Sequence, residues 1–167
     1  MTLLLAAVGA VVTALIELTV GPYLRVGDAQ PHFVLVLGVV LTIAVGFEAG
    51  VVWAFVGGLA LDVLAPDRPL GSTSFALLLC VGGAWVLARS LPRLRPIVPI
   101  VAVFVLSIGY SMILYGLSSA LGAPIPVADP LSAVVPSAIY DAVLATLVGP
   151  LAISVHDRRV EQERVDW

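Results

Sequence analysis

Three carboxylates, Glu17, Asp62 and Asp141, sit inside long apolar stretches of this 167-residue chain. An acid in hydrocarbon costs at least ~2.5–3.5 kcal/mol on insertion scales, so each needs a reason within the protein to be there. The plainest reason is that they mark packing seams of a helical bundle. The alternatives are a ligand cavity or proton path, and a docking face for another membrane protein. Asp62 falls close to the end of an apolar stretch, where snorkelling or a hydrogen-bonded turn would account for it.

Other chemistry is poorly represented. Cys80 is the lone cysteine, which excludes an intrachain disulfide and a thiolate metal cluster. His32 and His156 fall on opposite sides in the topology derived below, so they do not share a metal. No G-x-S-x-G, H-E-x-x-H or P-loop occurs. No basic run is present to hold nucleic acid. No catalytic residue, metal ligand or cofactor site is therefore expected, and catalysis is not the expected role.

The elements that carry these residues follow from composition. The chain is 60% hydrophobic and only 11% charged, against about 25% charged for a soluble domain. A span needs ~20 apolar residues, and six such spans use most of the chain. The first helix is expected at about Leu3 to Val20, stopped by Gly21-Pro22; it lacks the basic flank and cleavage site of a signal peptide. Pro31 suits the first turn of a second helix. From Phe33 to Ala65 only Glu48 and Asp62 are charged, and a single helix there would be ~50 Å long, too long for a ~30 Å core. Two helices of about 16 residues each, turning within Gly46 to Gly50, fit better. The remaining helices are expected at about Gly71–Ala88, Ile97–Leu121 and Leu131–Val155, the last bent by Pro136 and Pro150. The expectation is an all-α integral membrane protein: a single transmembrane domain of six helices, with a short cytoplasmic tail at about 156–167.

Arginine sets the orientation, since lysine is absent. With the N-terminus inside, Arg89, Arg93, Arg95, Arg158, Arg159 and Arg164 are cytoplasmic, and only Arg25 and Arg68 are outside. That agrees with the positive-inside rule and puts both termini in the cytoplasm.

Helical spacing groups the polar residues. Glu17 falls within ~60° of Ala6, Ala10 and Ala14 at 100° per residue. Asp141 belongs to the i+4 series Ala133, Ser137, Asp141, Ala145, Gly149. Ser107, Ser111, Tyr115 and Ser118 edge helix five. Small residues allow close backbone approach, and hydroxyls and acids can bond across the contact. Helices one, five and six should present these faces to each other or to a partner.

The stretch "QPHFVLVLGVVL … GFEAGVVWAFVGGLALDVLAPDRPLGSTSFALLL" (Gln30 to Leu79) resembles the MreD family of small membrane subunits of the bacterial rod-shape complex. The family's pattern maps onto Pro31, Gly50, Gly58, Asp62, Leu70 and Gly71, and "YDAVLATLVGP" (Tyr140 to Pro150) resembles its last helix. His32 departs from it, because Asp or Asn commonly follows the proline there. The resemblance implies a non-enzymatic scaffold in the bacterial cytoplasmic membrane. Its partners would be MreC, RodA with its class B penicillin-binding partner, MreB indirectly, and membrane lipid. It also implies a bundle similar to the substrate-binding subunits of energy-coupling-factor transporters, whose first helix carries an A-x-x-x-A motif. A vitamin-type transporter subunit is accordingly the alternative reading. Candidate interface or structural residues are Asp62, Gly58, Phe55, Gly50, Gly71, Pro31, Glu17 and Asp141. By angle, Val51, Phe55, Gly58 and Asp62 form one stripe, with Asp62 fixing the following loop, pairing with Arg68, or gripping a partner's helix.

Overall fold

A computed structural model describes residues 2–26, 29–65, 69–90, 97–122 and 130–165, with side chains in the last helix described over 133–152. The elements are α1 (Thr2–Val20), a 3-10 turn (Gly21–Leu24), α2 (Phe33–Ala44), α3 (Phe47–Leu64), α4 (Ser72–Ser90), α5 (Val98–Ala120) and α6 (Pro130–Val165). Among the described residues, five helices are long and apolar enough to cross a membrane, and α2 is a shorter apolar helix.

α2 is the hub. Its sequence, FVLVLGVVLTIA, has no charge and no polar face, and Val34, Leu35, Val36, Gly38, Val39, Val40 and Thr42 are all buried. A helix apolar on every side is stable only when enclosed, and α2 touches each of the other five helices. At 1.5 Å per residue it is only ~18 Å long, well short of a ~30 Å hydrocarbon core. The two helices expected between Phe33 and Ala65 are therefore unequal, at 12 and 18 residues. The turn between them is confined to Val45 and Gly46, because Phe47–Gly50 already belong to α3. Gly46 permits so sharp a turn by adopting φ +134°, a region that L side chains avoid.

The chain reaches α2 through a segment that dips into the bundle. After the 3-10 turn, Val26 and Ala29 pair by two backbone bonds of 3.0 and 3.1 Å. Ala29 and Pro31 are buried. Pro31 lies before the helix and not in its first turn as expected; having no N–H, it brings no buried donor that needs a partner.

α1 packs on α3 through its small residues. Ala6, Ala10 and Ala14 are buried, while Leu4, Val8, Val12 and Leu15 face outward. Trp53 of α3 fills a slot between two glycines. A Cβ on Gly9 of α1 would lie 2.9 Å from its ring, and one on Gly38 of α2 would lie 3.0 Å away. Its indole N–H donates to the Val34 carbonyl at 3.0 Å. The last helix continues as one element to Val165, ten residues beyond the expected end, and includes both Pro136 and Pro150.

The buried acids and the helix ends they cap

The first turn of any helix leaves N–H groups without intrahelical acceptors, and within a bilayer no water is available to supply them. α2 and α4 have no side-chain cap of their own: His32 precedes α2 and Gly71 precedes α4. Both ends are instead capped by carboxylates from other helices.

At α2, Glu17 accepts from the Val34 amide at 2.7 Å. Asp141 of α6 accepts from the His32 amide at 2.8 Å through Oδ1. Its Oδ2 lies 2.8 Å from His32 Nδ1 and accepts from the Ser107 hydroxyl of α5 at 2.6 Å. A carboxylate beside Nδ1 selects the tautomer that carries a proton there. The Tyr110 ring meets the His32 imidazole edge-on, with centroids 5.3 Å apart. One residue earlier than Pro31, the Gln30 amide donates to Ser137 Oγ at 3.1 Å. Thus α1, α5 and α6 do present polar faces inward, but the faces of α1 and α6 converge on the start of α2 rather than on each other.

At α4, Asp62 performs the same task from the end of α3. Its Oδ2 accepts from the Gly71 amide at 2.9 Å, and both oxygens lie 3.2 Å from the Thr73 amide. The Ser74 amide, at 3.5 Å, is a long fourth contact. Gly71 closes the loop with φ +88°. A hydrogen bond to a charged group contributes ~1.5–3 kcal/mol, and a carboxylate at a helix N-terminus gains up to ~2 kcal/mol from the dipole. Together these offset the cost of burying each acid.

The candidate residues divide by position. Glu17, Asp62 and Asp141 are at most 4% exposed. Gly58 sits directly against backbone, since a Cβ there would lie 2.5 Å from Ser74 Cα. Gly50 is shut in similarly by the Thr42 hydroxyl, which itself donates to the Gly38 carbonyl at 2.6 Å. Phe55 does not share this environment: it is 53% exposed. The predicted stripe is therefore split, with its glycine and acid turned into the protein and its aromatic turned out. Arg68, weighed as a partner for Asp62, lies outside the described residues.

His32 and Trp53 were missed as participants. By sequence, His32 is only a possible metal ligand and a departure from the pattern; its place directly before Phe33, the first residue of α2, is the available signal.

The profile of the rod shape-determining protein MreD matches residues 1–154. The chain belongs to the MreD family. No curated protein and no solved structure is significantly similar to it. MreD is a family of shape-determining membrane proteins not known as enzymes. The match extends from α1 through the described side chains of α6, so both capped helix ends lie within it.

Proposed function

We propose that this chain is the membrane scaffold of the bacterial cell-elongation complex, binding MreC and supporting peptidoglycan synthesis. RodA, its class B penicillin-binding partner and, indirectly, MreB are the further members of that assembly. The family match over residues 1–154 carries this reading. The side-chain chemistry agrees with it, because the three buried acids are engaged in holding the chain's own helix ends. A scaffold needs a fixed surface, and such caps fix the surface from within.

The same reading gives six passes through the cytoplasmic membrane with both termini inside. Its support is the arginine distribution, six against two, and the course of α2. That helix starts beside Glu17, near the end of α1, and finishes beside Thr2 and Leu3, near its beginning. A short α2 still completes a pass because its entry segment penetrates the bundle. The resemblance also implies a bundle like that of energy-coupling-factor substrate-binding subunits, with the A-x-x-x-A spacing of Ala6, Ala10 and Ala14. In this chain, however, the Ala6–Ala10–Ala14 seam is occupied by α3, which leaves it unavailable to a transporter partner.

Co-purification with MreC from membranes, alongside restoration of rod shape in a strain lacking the endogenous subunit, tests the function. Binding and complementation are expected. Co-purification with paired ATPases in place of MreC would replace this reading with the transporter one. Reporter fusions after Gln30, Arg68, Arg93, Ala128 and the C-terminus should read out, out, in, out and in.

A further inference from the structure

Arg89, Trp85 and Phe47 form one exposed surface where α3 begins and α4 ends. The Arg89 guanidinium lies 4.4 Å over the centre of the Trp85 ring. The Phe47 ring packs against the same tryptophan, with centroids 5.4 Å apart and planes tilted by 45°. Arg89 follows Trp85 by four residues, so one helix face carries both, and the stacking holds the cation in place. Among the described residues Arg89 forms no ion pair. Glu48, next to Phe47, lines with it an adjoining groove of about 480 Å³ that also includes Thr2, Leu3 and Val45.

Depth identifies what such a cation meets. α4 has 19 residues and is ~28 Å long, about the thickness of the hydrocarbon core. Arg89, one residue from its end, therefore lies at the level of the lipid headgroups. The α4 carbonyls at this end are the negative pole of the helix, so an anion held here depends on the guanidinium. Along the same face, three and seven residues before Trp85, come Gly82 and Leu78. A Cβ added at Gly82 would meet nothing within 4 Å, so the helix surface beside the tryptophan is open to an acyl chain.

We propose that this surface holds one anionic glycerophospholipid, with its phosphodiester on Arg89, its glycerol against Trp85 and Phe47, and an acyl chain over Gly82. The guanidinium fork matches two phosphate oxygens, and the indole suits the boundary between water and hydrocarbon.

The test is native mass spectrometry of the full chain after exchange into detergent containing phosphatidylglycerol or phosphatidylcholine. Wild type should retain phosphatidylglycerol several-fold better than phosphatidylcholine. Arg89→Gln should abolish that preference, and Gly82→Leu should lower retention of both lipids with Arg89 intact. Modification of buried Cys80 by a thiol dye, unchanged in both variants, verifies folding. Undiminished phosphatidylglycerol retention by Arg89→Gln overturns the site. So does competition by millimolar inorganic phosphate with no effect of Gly82→Leu, which would mark a simple anion site without a lipid.

Discussion

Glu17 and Asp141 reach the start of α2 from two different helices, Glu17 bonding the Val34 amide and Asp141 the His32 amide. Together they do for one helix what a serine or aspartate in its own cap position ordinarily does. The arrangement ties α1, α2, α5 and α6 into one unit.

Asp141 should be the more sensitive of the two. Asp141→Ala removes the acceptor of the His32 amide, the His32 ring and the buried Ser107 hydroxyl, and a stranded buried donor costs ~1–3 kcal/mol. Asp141→Asn keeps one carbonyl acceptor and should be milder. Dye labelling of Cys80, buried in the native state, reports unfolding on heating in detergent. Equal melting temperatures for wild type and Asp141→Ala would show that the cap contributes nothing.

Glycines should sort by the space they leave. Gly58→Ala drives a Cβ against Ser74 backbone, which cannot swing aside, so a loss at or above the usual ~1–3 kcal/mol for overpacking is expected. Gly116→Ala meets open space and should be neutral, or slightly stabilising through helix propensity. The same thermal assay compares them, and indistinguishable curves would contradict the packing.

Ala10→Leu should lower the melting temperature, since a Cβ at Gly57 would already lie 3.4 Å from that of Ala10. Val8→Ala, on the outward face of the same helix, should change little. If the two substitutions behave alike, α1 is not seated on α3 as described.

Asp62→Ala should insert into the membrane at least as readily as wild type, because removing an acid favours insertion. It should nonetheless impair rod-shape complementation, since the loop and α4 lose the acceptor for Gly71 and Thr73. Full complementation at normal expression would restrict Asp62 to a dispensable cap.

Trp53→Phe removes the indole bond to Val34 while keeping a ring in the slot between Gly9 and Gly38. A loss of ~0.5–1.5 kcal/mol is expected. Trp53→Ala, which empties the slot, should cost ~3–5 kcal/mol.

Much of the architecture was legible because apolar length is a local signal. The ends of α1, α4 and α5 fall within two residues of their expected positions, and the small seam of α1 is where its spacing put it. What escaped were relationships between distant residues. Nothing near His32 in sequence indicates that its acceptor lies 109 residues later. The shortness of α2 was hidden for a related reason: its entry segment is itself apolar and buried, so hydropathy alone does not show where helix begins. Phe55 was grouped with Asp62 by angle alone, yet α4 covers only the Gly58 side of that face, leaving the aromatic outside.

The division of the α2 cap between α1 and α6 also bears on the order in which the protein can be assembled. During synthesis Glu17 is made before α2, and Asp141 only after four further helices have begun. Until α6 arrives, the His32 amide and ring lack the acceptor they have in the finished protein, and a 12-residue helix is too short to be held across a bilayer by its own hydrophobicity. α2 therefore cannot be completed as an independent insertion event. Its final seating is a late step, in which the last helix closes over an end that the first had only half secured.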